Sequence, residues 1–163
     1  MKKMENQKDE LNPWTFSNSF TFFKGHAIPC TPGCDRVCLI FYKKELVKQY
    51  RKTNSLLILD VGCGFSGSHQ IWRRGLSAQG MVNVEIVGLD LNPNVFTEKG
   101  SIRSDGSICG DGCNLPIKDR SVDVVVAEFV LLHLHVLAPS LGRALKREAR
   151  RVLKKGGLFA RIC

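Results

Sequence analysis

The sequence predicts an α/β fold, an open and mainly parallel sheet with helices on both faces, and three stretches predict it. The first is Leu56-Leu57-Ile58-Leu59, four consecutive aliphatics after Asn54-Ser55. An uninterrupted run of this kind suits a strand covered on both faces better than one with a solvated side. The second is Val122–Ala127, a β-branched run typical of a central parallel strand. The third directly follows the first: Asp60 leads into Gly62, Gly64 and Gly67, and a helical pattern then runs from Ser68 to about Gln79. Glycine has no Cβ, so the backbone there can turn tightly and press against a ligand.

The remaining elements follow in chain order. Residues 1–24 begin polar and turn aromatic, with Trp14, Phe16, Phe20, Phe22 and Phe23 among Ser, Thr and Asn. They read as a tail whose aromatics fold back over the domain, with a lid or base-stacking surface as the alternative. Gly25–Cys38 carries His26, Cys30, Cys34 and Cys38. Thiolate and imidazole suit zinc, but this cysteine spacing is wider than that of the usual zinc knuckles, and Pro32-Gly33 keeps Cys30 off any helix holding the other two. Buried thiols are the preferred reading and no metal is assigned, although ligation by Cys30, Cys34 and Cys38 stays open. Residues 1–34 are therefore taken as an N-terminal tail and cysteine-containing segment, and residues 35–163 as the ligand-binding domain.

Asp35 is a suitable N-cap for a helix through Lys52, with Val37, Ile40, Phe41, Leu46, Val47 and Tyr50 as its buried stripe and Lys43, Lys44, Lys48, Arg51 and Lys52 as a solvated basic face. In the helix after the glycine turn, Trp72 and Leu76 share one face and pack on the sheet. Val84–Asp90 is a second strand, a short helix is expected around Val95–Lys99, and Ser107–Cys109 is a brief third strand. Leu141–Lys155 reads as a helix with Leu141, Leu145, Ala149, Val152 and Leu153 inward, ending at Gly156-Gly157. Leu158–Ile162 is then a fifth strand with a free edge.

Composition narrows the class. A chain of 163 residues, 44% hydrophobic and 24% charged, fits one ordinary globular domain. The longest apolar stretch, Val122–Leu134, contains Asp123, Glu128 and His133, which argues against a spanning helix. Seven cysteines, an odd number without a secretory leader, point to free thiols in a reducing cytoplasm. A net charge of +9 favours an anionic partner such as RNA.

The glycine turn poses the functional question. Gly62-x-Gly64-x-x-Gly67, with Asp90 further on, satisfies a dinucleotide-binding fingerprint. Asp60 tilts the choice, because a carboxylate at the mouth of the loop repels a pyrophosphate and favours a ligand carrying an ammonium and a sulfonium. The pattern therefore argues for S-adenosylmethionine over NAD.

Four places in the same order resemble the class I S-adenosylmethionine-dependent methyltransferases: Leu59–Gly64, Ile86–Pro93, Cys109–Pro116, and Ser121–His133 with the Glu148–Gly157 segment after it. The resemblance covers roughly residues 56–162. It implies a Rossmann-like sheet lacking the last two strands of the usual seven, with S-adenosylmethionine as cofactor. It assigns cofactor contacts to Asp60, Gly62, Cys63, Gly64, Gly67, Asp90, Leu91, Asp111, Gly112, Cys113 and Glu128. Asp90 would accept from both ribose hydroxyls and Asp111 from the adenine amino group, with the Gly112-Cys113 backbone beside the ring. Glu128 and His133 are the candidate catalytic bases.

Asn114-Leu115-Pro116, the strand around Val124 with His133 after it, and Ala144–Gly157 are similar to tRNA wobble-uridine carboxymethyl methyltransferases and to many small-molecule methyltransferases. With the basic C-terminal helix this tips the expected acceptor toward RNA. A protein partner or second copy covering the exposed sheet edge is the other expected association, with a catalytically silent cofactor-binding subunit as the alternative function.

Overall fold

The computed structural model of the chain describes residues 20–23, 26–29, 34–64, 68–97, 104–128, 130–131, 134 and 138–162; for residues 20–41, Glu128 and Ile162 the description is of the backbone. Trp14, Phe16, Cys30, Gly67 and His133 lie outside the described residues, as do the side chains of Cys34, Cys38 and Glu128.

A parallel five-stranded sheet carries the domain. In chain order its strands are β3 (Leu56–Val61), β4 (Val84–Asp90), β5 (Gly106–Cys109), β6 (Val122–Glu128) and β7 (Leu153–Ile162), arranged β5-β4-β3-β6-β7. Helix α1 (Cys34–Thr53) precedes β3, α2 (Ser68–Ser77) links β3 to β4, and α3 (Pro139–Val152) leads into β7. This is the open Rossmann-like arrangement that the apolar runs predict. A separate hairpin pairs β1 (Phe20–Phe23) with β2 (His26–Pro29), an element absent from the reading of this region as a tail. Its signal is the period-two alternation Phe20-Thr21-Phe22, followed by a glycine-containing two-residue link.

The central strand explains the two-layered core. Alternate residues of β3 point to opposite faces, so Ile58 joins Leu46, Tyr50, Trp72 and Leu76 from α1 and α2, while Leu59 and Val61 join Leu145, Ala149 and Val152 from α3. Trp72 and Leu76 are fully buried, as their helical spacing requires. Among the described residues no helix is long and apolar enough to cross a membrane.

The C-terminal helix ends earlier than its sequence suggests. Arg120 N–H and Ser121 N–H donate to Arg151 O and Val152 O, taking up carbonyls of the last turn, and Leu153 pairs with Val122. Lys154–Gly157 lies in β7 across a break in register between Val122 and Val124. Gly156 sits at φ +73° there, a conformation that suits glycine. Leu141, read as inward, is 43% exposed. The short helix expected at Val95–Lys99 is a 3₁₀ turn at Pro93–Phe96, capped by Asn92.

Two cations of the basic C-terminal region fasten separate segments of the fold together. Arg151 donates to Glu148, Asp119, Leu115 O and Ile117 O, and Lys154 Nζ lies 2.9 Å from both oxygens of Asp123, whose Oδ2 also accepts from Leu57 N–H. Glu148 is buried and accepts from Leu115 N–H at 2.9 Å. The Arg151 bonds, outweighing desolvation, hold its carboxyl below the usual glutamate range. Its stabilisation is therefore full above the unfolded pKa of about 4.3 and is lost as pH falls through the lower folded value. Glu148→Gln should lower stability at neutral pH by about 1–3 kcal/mol. Urea midpoints for this variant and the unsubstituted chain should converge as the pH is taken down to about 3.

Candidate functional site

The parallel strands deliver their carboxyl ends to one side, and the turns that follow are tied in series. Gly62 N–H and Cys63 N–H donate to Leu89 O at 2.7 and 3.2 Å, and Gly110 N–H donates to Asp90 O at 3.0 Å. The turns after β3 and β5 are thus both fixed to the end of β4. Together they form one continuous rim.

Two glycines set the first turn. φ is +74° at Gly62 and +52° at Gly64, a region that costs other residues roughly 1–2 kcal/mol. A Cβ at Gly62 would overlap Val130 Cγ2, whereas one at Gly64 would meet nothing within 4 Å among the described residues. At Gly62 the close approach is made by the chain itself. The open cradle lies at Gly64.

Asp90 borders that cradle. Its Oδ2 accepts from Gly64 N–H at 3.0 Å and its Oδ1 from Asn92 N–H at 2.9 Å, so each oxygen retains acceptor capacity. Leu91, next in sequence, is 69% exposed. Across the rim Asp111 is exposed, and its Oδ1 accepts from Cys113 N–H at 2.7 Å in an Asx turn. A Cβ at Gly112 would lie 2.6 Å from Val61 Cγ1, so glycine lets this turn sit directly on the core. Burial pushes the Cys63 thiol up, with the Asp60 and Asp90 charges adding; burial, then Asp111, does the same to Cys113. Both thiols stay protonated near neutrality, which disqualifies them as nucleophiles.

Asp60 lies beneath the rim. It is 2% exposed, with Oδ2 2.8 Å from Nε2 of the equally buried His69. Burial raises the Asp60 pKa against the opposing pull of His69. His69 Nδ1 has no partner among the described residues, which fits a neutral ring that donates through Nε2 and leaves Nδ1 bare. Gly88 of β4 makes room for the pair: a Cβ there would come within 3.0 Å of Cys63 Sγ and 3.2 Å of His69 Cε1. Sequence patterning singles out Trp72 and Leu76 but misses His69, although the three occupy positions i, i+3 and i+7 of one helical face.

Of the two candidate bases, Glu128 ends β6 opposite Ile162, which puts its backbone at this same edge. Within 60–64, 90–92 and 109–115 the rim presents Asp90 and Asp111, with Asp60 buried beneath them, and these spans hold neither Lys nor Arg. Such a rim favours a cationic ligand over a diphosphate.

Residues 59–161 match the methyltransferase domain family. The chain belongs to the S-adenosylmethionine-dependent methyltransferases. S-adenosylmethionine is accordingly its cofactor, and the open space at Gly64 beside an acid-only rim fits a sulfonium-bearing nucleoside. The demethylmenaquinone methyltransferase of Thermotoga maritima is 30% identical over 117 residues, which are 71% of this chain and 47% of that enzyme. An uncharacterized protein of Methanocaldococcus jannaschii is 27% identical over 158 residues, 96% of this chain and 59% of that protein. A solved structure from Anabaena variabilis, described as a methyltransferase from an antibiotic biosynthesis pathway, shares the fold with a TM-score of 0.52 at 17% identity, covering 75% of this chain and 45% of that one. The chain thus spans about half the length of these two curated relatives.

The two glycines should respond differently to substitution. Gly64→Ala should cost only the left-handed backbone strain, about 1–2 kcal/mol. Gly62→Ala adds the overlap with Val130 and should cost about 2–5 kcal/mol. Urea unfolding in a Val130→Ala background should bring the second value down toward the first.

Proposed function

We propose that the chain is the donor-binding core of a methyltransferase that moves the methyl group of S-adenosylmethionine to an oxygen, nitrogen or carbon nucleophile, with RNA as the acceptor class. The observation that carries the proposal is the cradle at Gly64, open among the described residues and bordered by a carboxylate fixed on two backbone N–H groups. When bound, S-adenosylmethionine supplies an electrophilic methyl on a good leaving group. The chain's own work is therefore orientation.

In this proposal Asp90 accepts from the ribose hydroxyls with Leu91 beside it, and Asp111 accepts from the adenine amino group over the Gly112-Cys113 backbone. Gly62, Cys63, Gly64 and Gly67 shape the loop under the ligand. Asp60 acts indirectly, holding His69 and so the start of α2 against β3. Glu128 or His133 would take a proton where the acceptor does not lose one unaided, and Glu128 would also border the cofactor. RNA is favoured as acceptor by the net charge of +9, and the cytoplasm as location by the odd cysteine count.

A second reading has its own observation: β7 is an edge strand in the described sheet, so the chain could be a silent cofactor-binding subunit that docks on a partner there. Transfer of a labelled methyl group by the isolated chain would eliminate it. Calorimetry tests the donor site itself. S-adenosylhomocysteine should bind and NAD should not, and Asp90→Ala should weaken S-adenosylhomocysteine by about 1.5–3 kcal/mol. Equal binding of S-adenosylhomocysteine to both proteins would remove Asp90 from the site.

A further inference from the structure

Six of the seven cations from Arg143 to Lys155 fall into two groups, with Lys155 lying apart on β7. Arg151 and Lys154 are paired with Glu148, Asp119 and Asp123. Arg143, Lys146, Arg147 and Arg150 have no carboxylate within ion-pairing distance among the described residues. At about 100° per residue these four occupy one sector of α3, roughly 100° wide, opposite the buried Leu145, Ala149 and Val152. Arg143, Arg147 and Arg150 are exposed and Lys146 is half-buried. The only acid of the helix, Glu148, faces away from them into Arg151 and Leu115 N–H.

Stability does not account for this face. Cations near a helix C-terminus are favoured by the backbone dipole, but the effect fades within the last turn and does not reach Arg143 or Lys146. Repulsion between uncompensated cations a turn apart is a cost. The start of α3 adjoins the rim from the side of the helix opposite these cations, because Leu141 O accepts from Cys113 Sγ and Leu145 Cδ1 packs under Gly112. From Arg143 to Arg150 the cations then run about 10 Å down the helix away from the rim.

We propose that this face of α3 is the docking ridge for the phosphate backbone of RNA, which leads a base of a single-stranded loop toward the sheet edge. The inference rests on the methyl-donor reading above and supplies its acceptor surface. Successive cations one helical turn apart can follow successive phosphates of one strand. A membrane surface fits poorly, since an interfacial helix needs large apolar residues alongside its cations and the outward sector has none. RNA fits better than duplex DNA because RNA loops present unstacked bases without the cost of flipping them.

Fluorescence anisotropy with a mixed-sequence RNA stem-loop tests the ridge. Three proteins are compared: the 163-residue chain, its Arg143→Ala/Lys146→Ala/Arg147→Ala/Arg150→Ala variant, and a Lys43→Ala/Lys44→Ala/Lys48→Ala control on the opposite helical layer. Affinity for the unsubstituted chain should fall steeply with salt. The α3 variant should lose at least about tenfold at low salt, and its log–log salt slope should drop by about 3, the share of four single-strand phosphate contacts. The α1 control should retain the original slope.

An unchanged slope in the α3 variant, or an equal loss in the control, would overturn the proposal. Equal or tighter binding of the matching DNA stem-loop, an acidic peptide or anionic vesicles would overturn the choice of RNA. S-adenosylhomocysteine calorimetry on the same proteins separates the two claims: retained binding with no RNA affinity rejects the ridge alone. Absent binding by the unsubstituted chain rejects the donor site, while the salt slopes still decide the ridge.

Discussion

Burial of β3 on both faces is the constraint from which the rest follows. Every side chain from Leu56 to Val61 must be apolar or partnered, and Asp60 is the one that needs a partner. A carboxylate in that position is expensive unless something hydrogen-bonds it. His69 does so from the first turn of α2, which locks the helix start to the strand end across the glycine turn. Gly88 in the neighbouring strand gives both Cys63 and His69 their space. A single buried hydrogen bond thus coordinates three consecutive elements around the cradle.

Most of the scaffold was legible because it is written in uninterrupted patterns. Leu56–Leu59 and Val122–Ala127 are apolar throughout, and two-sided burial is the only environment that suits them. The errors fall where local signals compete with tertiary contacts. Leu153–Lys155 continues a good helical pattern, yet the carbonyls of Arg151 and Val152 are claimed by Arg120 and Ser121, and Leu153 is claimed by Val122. The hairpin at Phe20–Pro29 was obscured by its length and by the aromatics, which read equally well as packing groups.

The candidate site was legible in part. The motif places Asp90, Asp111 and the glycines at strand ends, and the structure joins those turns through Leu89 O and Asp90 O. Sequence alone could not separate two uses of glycine that look identical in the motif: Gly62 yields to Val130, whereas a Cβ at Gly64 would meet no described atom within 4 Å. Nor could it show that Asp60 is sealed beneath the rim, since an acid after an apolar strand is compatible with either side of the turn. The basic segment behaved likewise. Counting charges from Arg143 to Lys155 gives seven cations, whereas geometry pairs Arg151 and Lys154 with carboxylates, puts Lys155 on β7 and leaves four on one face of α3.

The carboxylate of Asp90 is held from two sides, by Gly64 N–H and by Asn92 N–H. Immobilising a side chain carries an entropic penalty that must fall on some step. At the donor site proposed above it falls on folding, so an incoming hydrogen-bond donor would meet an acceptor whose torsions are already set. Recognition at that corner is then governed by how well the newcomer matches a preorganised geometry, and less by how readily the pocket can adapt to it.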